Sequence, residues 1–148
     1  METQGRDSSS HVVGALTALI VALLLVGVVS HLLLRHVVQV IPAVLALIFA
    51  ICGGRAARYA ALPVFLCWLF LMTLIWLFLL GLTRVISGHF TTTETLLTIV
   101  IGAASLWGLV LVLRFRALLL PAIIYFIAFA ALQWIFLRLS FLPAIAQR

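Results

Sequence analysis

Four side chains in this sequence could share a metal ion: His31, His36, His89 and Glu94. Imidazole nitrogens with one carboxylate suit a divalent ion such as zinc, and the same histidines could sense pH instead. The spacing works against a site. His31 and His36 are five residues apart, so they do not share a helix face, and one must leave the helix to converge. Arg35 between them repels a cation. Solvated histidines at a membrane surface are the simpler reading.

Glu94 has an explanation that needs no chemistry. Thr91 and Glu94 fit the capping box Thr-x-x-Glu, in which each side chain satisfies an amide at the start of a helix. The carboxylate also complements the positive helix end. Other catalytic arrangements are missing from the sequence: there is no GxSxG elbow, no HExxH and no Gly-rich phosphate loop. We therefore expect no enzyme activity and no cofactor.

The elements that must position these residues follow from composition. Hydrophobic residues make up 67% of the 148 positions and charged residues 8%, too few polar side chains to cover a soluble domain. The solvent must be lipid. The net charge of +6 does not indicate nucleic acid, because Arg6, Arg35, Arg55, Arg58, Arg84, Arg114, Arg116, Arg138 and Arg148 are strung out between apolar runs, whereas a nucleic-acid binder clusters them. Arginines so placed meet headgroups. The lack of lysine and asparagine fits a GC-rich bacterial genome.

Charged residues divide the chain into five uncharged windows of 19 to 27 residues: Ser8–Leu34, His36–Gly54, Tyr59–Thr83, Thr95–Leu113 and Ala117–Leu137. Crossing a hydrocarbon core takes about 20 helical residues. None of the windows alternates polar with apolar residues, as barrel strands would. The expected fold is all-α, a polytopic integral membrane helical bundle of five transmembrane helices, with four as the alternative. The spans run about 12–33, 39–55, 62–82, 92–113 and 118–138 in a single bundle over 12–139. Residues 1–11 form a disordered polar tail and 140–148 a short carboxyl-terminal tail. The first window is longer than the usual leader core of about 7–15 apolar residues, so it reads as a span rather than a cleaved signal.

The second span is the uncertain one. Pro42 prefers a first helical turn, so a start near Gln39 leaves a short helix, and "SHLLLRHVVQV" becomes a surface turn. If that segment does not cross, four spans remain. Pro63 and Pro121 open the third and fifth helices.

Arg55 and Arg58 in the second connection, and Arg114 and Arg116 in the fourth, mark the cytoplasmic side. The chain is then a bacterial inner-membrane protein with its amino terminus inside.

Lipid gives helices no hydrophobic reason to associate, so small residues that permit close approach matter. Gly14, Ala18 and Ala22 on the first helix, Ala46, Ala50 and Gly54 on the second, and Ala104 with Gly108 on the fourth recur every four residues. They predict a core of helices one, two and four, in which Ala18→Leu destabilises the fold. The third helix differs. Its stripe of Phe65, Trp68, Met72 and Trp76 is either lipid-facing bulk or a partner surface. Gln133 and Trp134 read as interfacial anchors, and Gln133 and Tyr125 share a face from which they could bond to neighbouring helices. Cys52 and Cys67 are expected to pack as small apolar groups rather than pair.

No Asp, Glu, Lys or Arg lies mid-span, which disfavours a proton-coupled pump. The expected partners are the lipid bilayer and other membrane subunits or further copies of the chain. The leading function is a non-enzymatic accessory, assembly or scaffold subunit of a membrane complex. A small oligomeric transporter is the alternative, and an outer-face metal-binding or redox protein the second alternative.

Overall fold

A computed structural model describes residues 2–52, 56–84, 90–114 and 119–146, with no side-chain detail for 2–9, 119 and 146. It contains the helices α1 (Glu2–Val29), α2 (Leu33–Cys52), α3 (Ala61–Leu79), α4 (Thr92–Leu113), α5 (Leu119–Leu139) and the single turn α6 (Pro143–Ala146). A 3-10 turn, Ala57–Ala60, leads into α3. No strand occurs among the described residues. Five helical segments are long and apolar enough to cross a membrane: Ser10–Val29, Leu33–Cys52, Ala57–Leu79, Thr92–Leu113 and Leu120–Leu139. This is a multi-pass membrane protein. Its outer surface is what lipid requires, with Phe70, Ile99, Leu106, Ile124 and Ile127 all exposed.

The α1–α2 reversal is tighter than the sequence suggests. The Leu32 amide bonds to the Gly27 carbonyl at 3.0 Å and the His31 amide to that of Val28 at 3.2 Å. That is a Schellman cap, and it puts His31 in the left-handed region at φ 58°. Such a position favours glycine, although histidine tolerates it better than most side chains. The turn therefore ends at Leu32, and α2 begins at Leu33 rather than near Gln39. As a consequence Pro42 lies inside the helix, where it removes one amide donor that a first-turn proline would not have missed. The same cap recurs after α3. There Leu82 bonds to the Leu77 carbonyl, and glycine occupies the left-handed position as Gly81 at φ 74°.

At the other boundaries, Pro63 and Pro121 stand in the first turns of α3 and α5. The helical backbone of α1 extends through residues 2–10, which the sequence reads as an irregular tail. Thr91 and Glu94 form the capping box: the Thr91 amide donates to Glu94 Oε2 at 2.7 Å, and the Glu94 amide to Thr91 Oγ1 at 3.2 Å.

Packing centres on α1, which lies against α2 and α4, while α3 lies against α4. The small-residue stripe of α1 needs correction. Gly14 and Ala18 are exposed, and a methyl group at Gly14 would meet nothing within 4 Å. The buried face is instead Val12, Ala15, Leu16, Leu19, Ala22 and Leu23. Bulky Val12, Leu16, Leu19 and Leu23 share that interface with the small Ala15 and Ala22. Ala46 and Ala50 of α2 are buried, as are Ala104 and Gly108 of α4; Gly54 lies outside the described residues.

The aromatic stripe of α3 is also corrected. Phe65, Trp68 and Met72 are buried and Trp76 half-buried, so the stripe is neither lipid-facing bulk nor a surface for a partner. The reason lies on α4. A Cβ placed on Gly108 would sit 2.2 Å from Phe65 Cζ, and one on Gly102 2.3 Å from Trp76 Cη2. Large rings on one helix thus fill the spaces left by glycines on the other. The Trp76 indole donates to Thr98 Oγ1 at 3.1 Å, and Thr98 donates in turn to the Thr95 carbonyl at 2.7 Å. α5 is the least embedded of the spans, with 17% of its apolar window buried.

Candidate functional site

One end of the bundle gathers the chemistry. The α1–α2 turn, the first turns of α2 and α4, and the end of α5 surround a cavity of about 610 Å³. That size falls within the usual range of small-molecule sites, about 300–1,000 Å³. Ser30, Arg35, His36, Gln39, Glu94 and Thr98 supply its polar groups. Leu23, Val26, Trp68, Leu71, Met72, Ile75 and Ile101 supply an apolar wall. Trp68 lies eleven residues before the end of α3, about 16 Å at the helical rise, so the cavity reaches well into the membrane interior.

Each polar group is held by local structure. Arg35 stands in the first turn of α2, its guanidinium carbon 4.2 Å from the centre of the Phe141 ring, a cation–π distance. No carboxylate lies within 4.0 Å of it among the described residues. Gly27 makes room for His36: a Cβ there would meet His36 Cβ at 2.8 Å. His36 Nδ1 is 3.1 Å from the Leu32 carbonyl oxygen. A carbonyl only accepts, so Nδ1 carries the hydrogen, and Nε2 of the neutral ring is an acceptor. Gln39 Nε2 donates to Ser140 Oγ at 2.9 Å, tying the end of α5 to α2. Glu94 uses Oε2 for both Thr91 donors, the amide and Oγ1, and its Oε1 has no hydrogen bond among the described residues.

Three residues of the lining each hold a polar atom that is closed to solvent and has no partner among the described residues: Ser30 Oγ, Arg35 Nε and Trp68 Nε1. Trp68 is 4% exposed. Buried donors left unmade are costly, and more so away from water. The Arg35 and Glu94 side chains on the lining, above an apolar wall, suit a ligand with a polar end.

Comparison with known proteins adds no relative. No family model, no curated protein and no solved structure matches this chain.

The proposed metal ligands are partly brought together. His36 and Glu94 line the cavity, His31 does not, and His89 lies outside the described residues. Among the described residues no three His, Cys, Asp or Glu side chains are grouped to hold a metal. The hydroxyls of Thr17 and Thr73 bond to the carbonyls of Val13 and Leu69 four residues back, as mid-span hydroxyls do. Both cysteines are free thiols, and Cys52 is exposed rather than packed.

Gln133 is not the interfacial anchor its position suggested. It is 2% exposed, and among the described residues its carboxamide meets no nitrogen or oxygen partner, only the weakly bonding Cys67 thiol beside it. It borders a shallow apolar groove between α3 and α5, of about 240 Å³, with Cys67 and Phe126. Trp134 beside it is exposed, with the Arg138 guanidinium carbon 5.0 Å from its ring, an arrangement suited to the headgroup level.

Sequence reading missed the cavity. Its one signal was a pair of oppositely charged residues, Arg35 and Glu94, each just inside a helix start, and nothing in the sequence says that those starts adjoin.

Proposed function

We propose that this chain is a non-enzymatic accessory subunit of a bacterial inner membrane that holds one amphiphile in the cavity at the end of its bundle. The observation that carries this reading is one cavity of about 610 Å³ whose lining joins Ser30, Arg35, His36, Gln39, Glu94 and Thr98 to an apolar wall. Polar groups gather toward the Arg35 end while the deeper wall is apolar, which matches a molecule with a head and a chain. With the amino terminus inside, as the arginines of the second and fourth connections favour, the cavity opens on the outer face. A polar end at the headgroup level and a chain-lined interior also suit entry of a lipid from the outer leaflet.

Lipid extraction from the purified protein tests the reading. Wild-type protein retains about one amphiphile per chain through mild detergent, and Ile101→Trp, which fills the cavity, loses it. Equal retention by the filled variant, or none by the wild type, overturns the proposal.

A small transport unit is the second reading. The depth of the cavity at Trp68 and Ile101 favours it, and amphiphile flux across liposomes containing only this protein separates transport from retention.

A further inference from the structure

The polar side chains that line the cavity form two sets of opposite hydrogen-bonding character. In the first, Arg35 carries a guanidinium, which only donates, and the Ser30 hydroxyl can donate. In the second, Glu94 Oε1 and His36 Nε2 present acceptors, because Glu94 Oε2 is committed to the capping box and His36 Nδ1 to the Leu32 carbonyl. Arg35 and Glu94 are the charged residues lining the cavity, and their charges cancel. A purely anionic headgroup would satisfy Arg35 and be repelled by Glu94. A cationic one would meet the reverse.

We infer that the amphiphile carries a zwitterionic phosphoethanolamine headgroup, its phosphate on Arg35 and Ser30 and its primary ammonium on Glu94 and His36. A phosphate offers the acceptors that a guanidinium reads best. A primary ammonium has three donors and no acceptor, the complement of a carboxylate oxygen with an imidazole lone pair. A trimethylated ammonium has no N–H to donate and suits the acceptors of Glu94 and His36 poorly. The inference rests on the cavity being an amphiphile site, and the experiment separates the two claims.

Native mass spectrometry of the detergent-solubilised full chain reads the headgroup directly. The probes are monoacyl phosphoethanolamine, phosphoglycerol and phosphocholine lipids of one chain length, offered at equal concentration, with free phosphoethanolamine as a separate arm. The phosphoethanolamine lipid is expected to outcompete the other two by about tenfold. The free headgroup is expected to bind far more weakly, because it leaves the apolar wall unfilled. Glu94→Gln keeps the capping box, which accepts Gln as well as Glu. It should abolish the preference over phosphoglycerol while still binding lipid. Arg35→Gln should weaken all three. Equal occupancy by the three lipids, or a preference unchanged in Glu94→Gln, overturns the headgroup assignment and leaves the amphiphile site standing. Absence of any lipid adduct overturns both. Free phosphoethanolamine binding as tightly as its lipid assigns the site to a soluble headgroup and overturns the amphiphile reading.

Discussion

The Arg35 guanidinium rests on the Phe141 ring, 4.2 Å from its centre. Phe141 follows the end of α5, so this contact, with the Gln39–Ser140 hydrogen bond beside it, closes one wall of the cavity. The same stacking gives the guanidinium an aromatic partner in place of a direct ion pair. Phe141→Leu keeps the apolar bulk and removes the ring. A partly buried cation–π contact contributes about 0.5–2 kcal/mol, and a loss of that size should lower amphiphile affinity several-fold with little change in the α-helical circular dichroism. Affinity unchanged in Phe141→Leu would show that Arg35 needs no such support.

Close fit between α3 and α4 makes a second prediction. Adding a methyl group at Gly108 drives it into the Phe65 ring, and overpacking of this kind typically costs about 1–3 kcal/mol. Gly108→Ala should therefore lower the thermal midpoint in detergent. Gly108→Ala with Phe65→Leu should recover part of the loss, since residues in contact couple. Gly14→Ala, where nothing lies within 4 Å, should be close to neutral.

The corrected face of α1 inverts an expectation drawn from its small-residue stripe. Ala18 is exposed while Ala22 is buried, so Ala18→Leu should leave the melting profile in place and Ala22→Leu should lower it. The reverse ranking would restore the stripe as the packing face.

His31 holds a left-handed backbone conformation that glycine adopts without steric cost. His31→Gly should stabilise the α1–α2 turn by roughly 1 kcal/mol, read as a higher thermal midpoint. Because His31 does not line the cavity, amphiphile binding should be unaffected.

Gln133 buries its carboxamide with only the weak Cys67 thiol beside it among the described residues, a burden of about 1–3 kcal/mol. Gln133→Leu should raise the midpoint. A lowered midpoint would mean that the carboxamide is satisfied in the native membrane by a group from outside the chain.

Much of the architecture was legible because lipid restricts the choices so severely. An uncharged window such as Thr95–Leu113 has no option but a helix, and Thr91 with Glu94 announced where α4 starts. Less local features stayed hidden. The start of α2 depends on His31 occupying a position that sequence rules assign to glycine, so Pro42 was read as a first-turn residue. Which side of α1 packs is decided by α2 and α4, both of which lie against it, and a small residue such as Ala18 marks only where close approach is allowed. Phe65 and Trp76 looked like surface because their complement, Gly108 and Gly102, sits on another helix. The cavity joins groups from every span, and no spacing along one chain encodes that meeting. For the site itself, the sequence named His36 and Glu94 but grouped them as metal ligands, with Arg35 only as a charge opposing the metal and Trp68 as part of a separate stripe, whereas all four line one cavity.

Occupancy of that cavity can be read at Trp68. In a chain carrying Trp76→Phe, Trp107→Phe and Trp134→Phe, Trp68 is the one remaining indole, and its 4% exposure keeps bulk lipid away from it. A monoacyl amphiphile brominated along its chain should quench this fluorescence saturably, at one molecule per protein, and Ile101→Phe should weaken the effect. Fluorescence that stays constant at every concentration, or that falls without saturating, would contradict an amphiphile held inside the bundle.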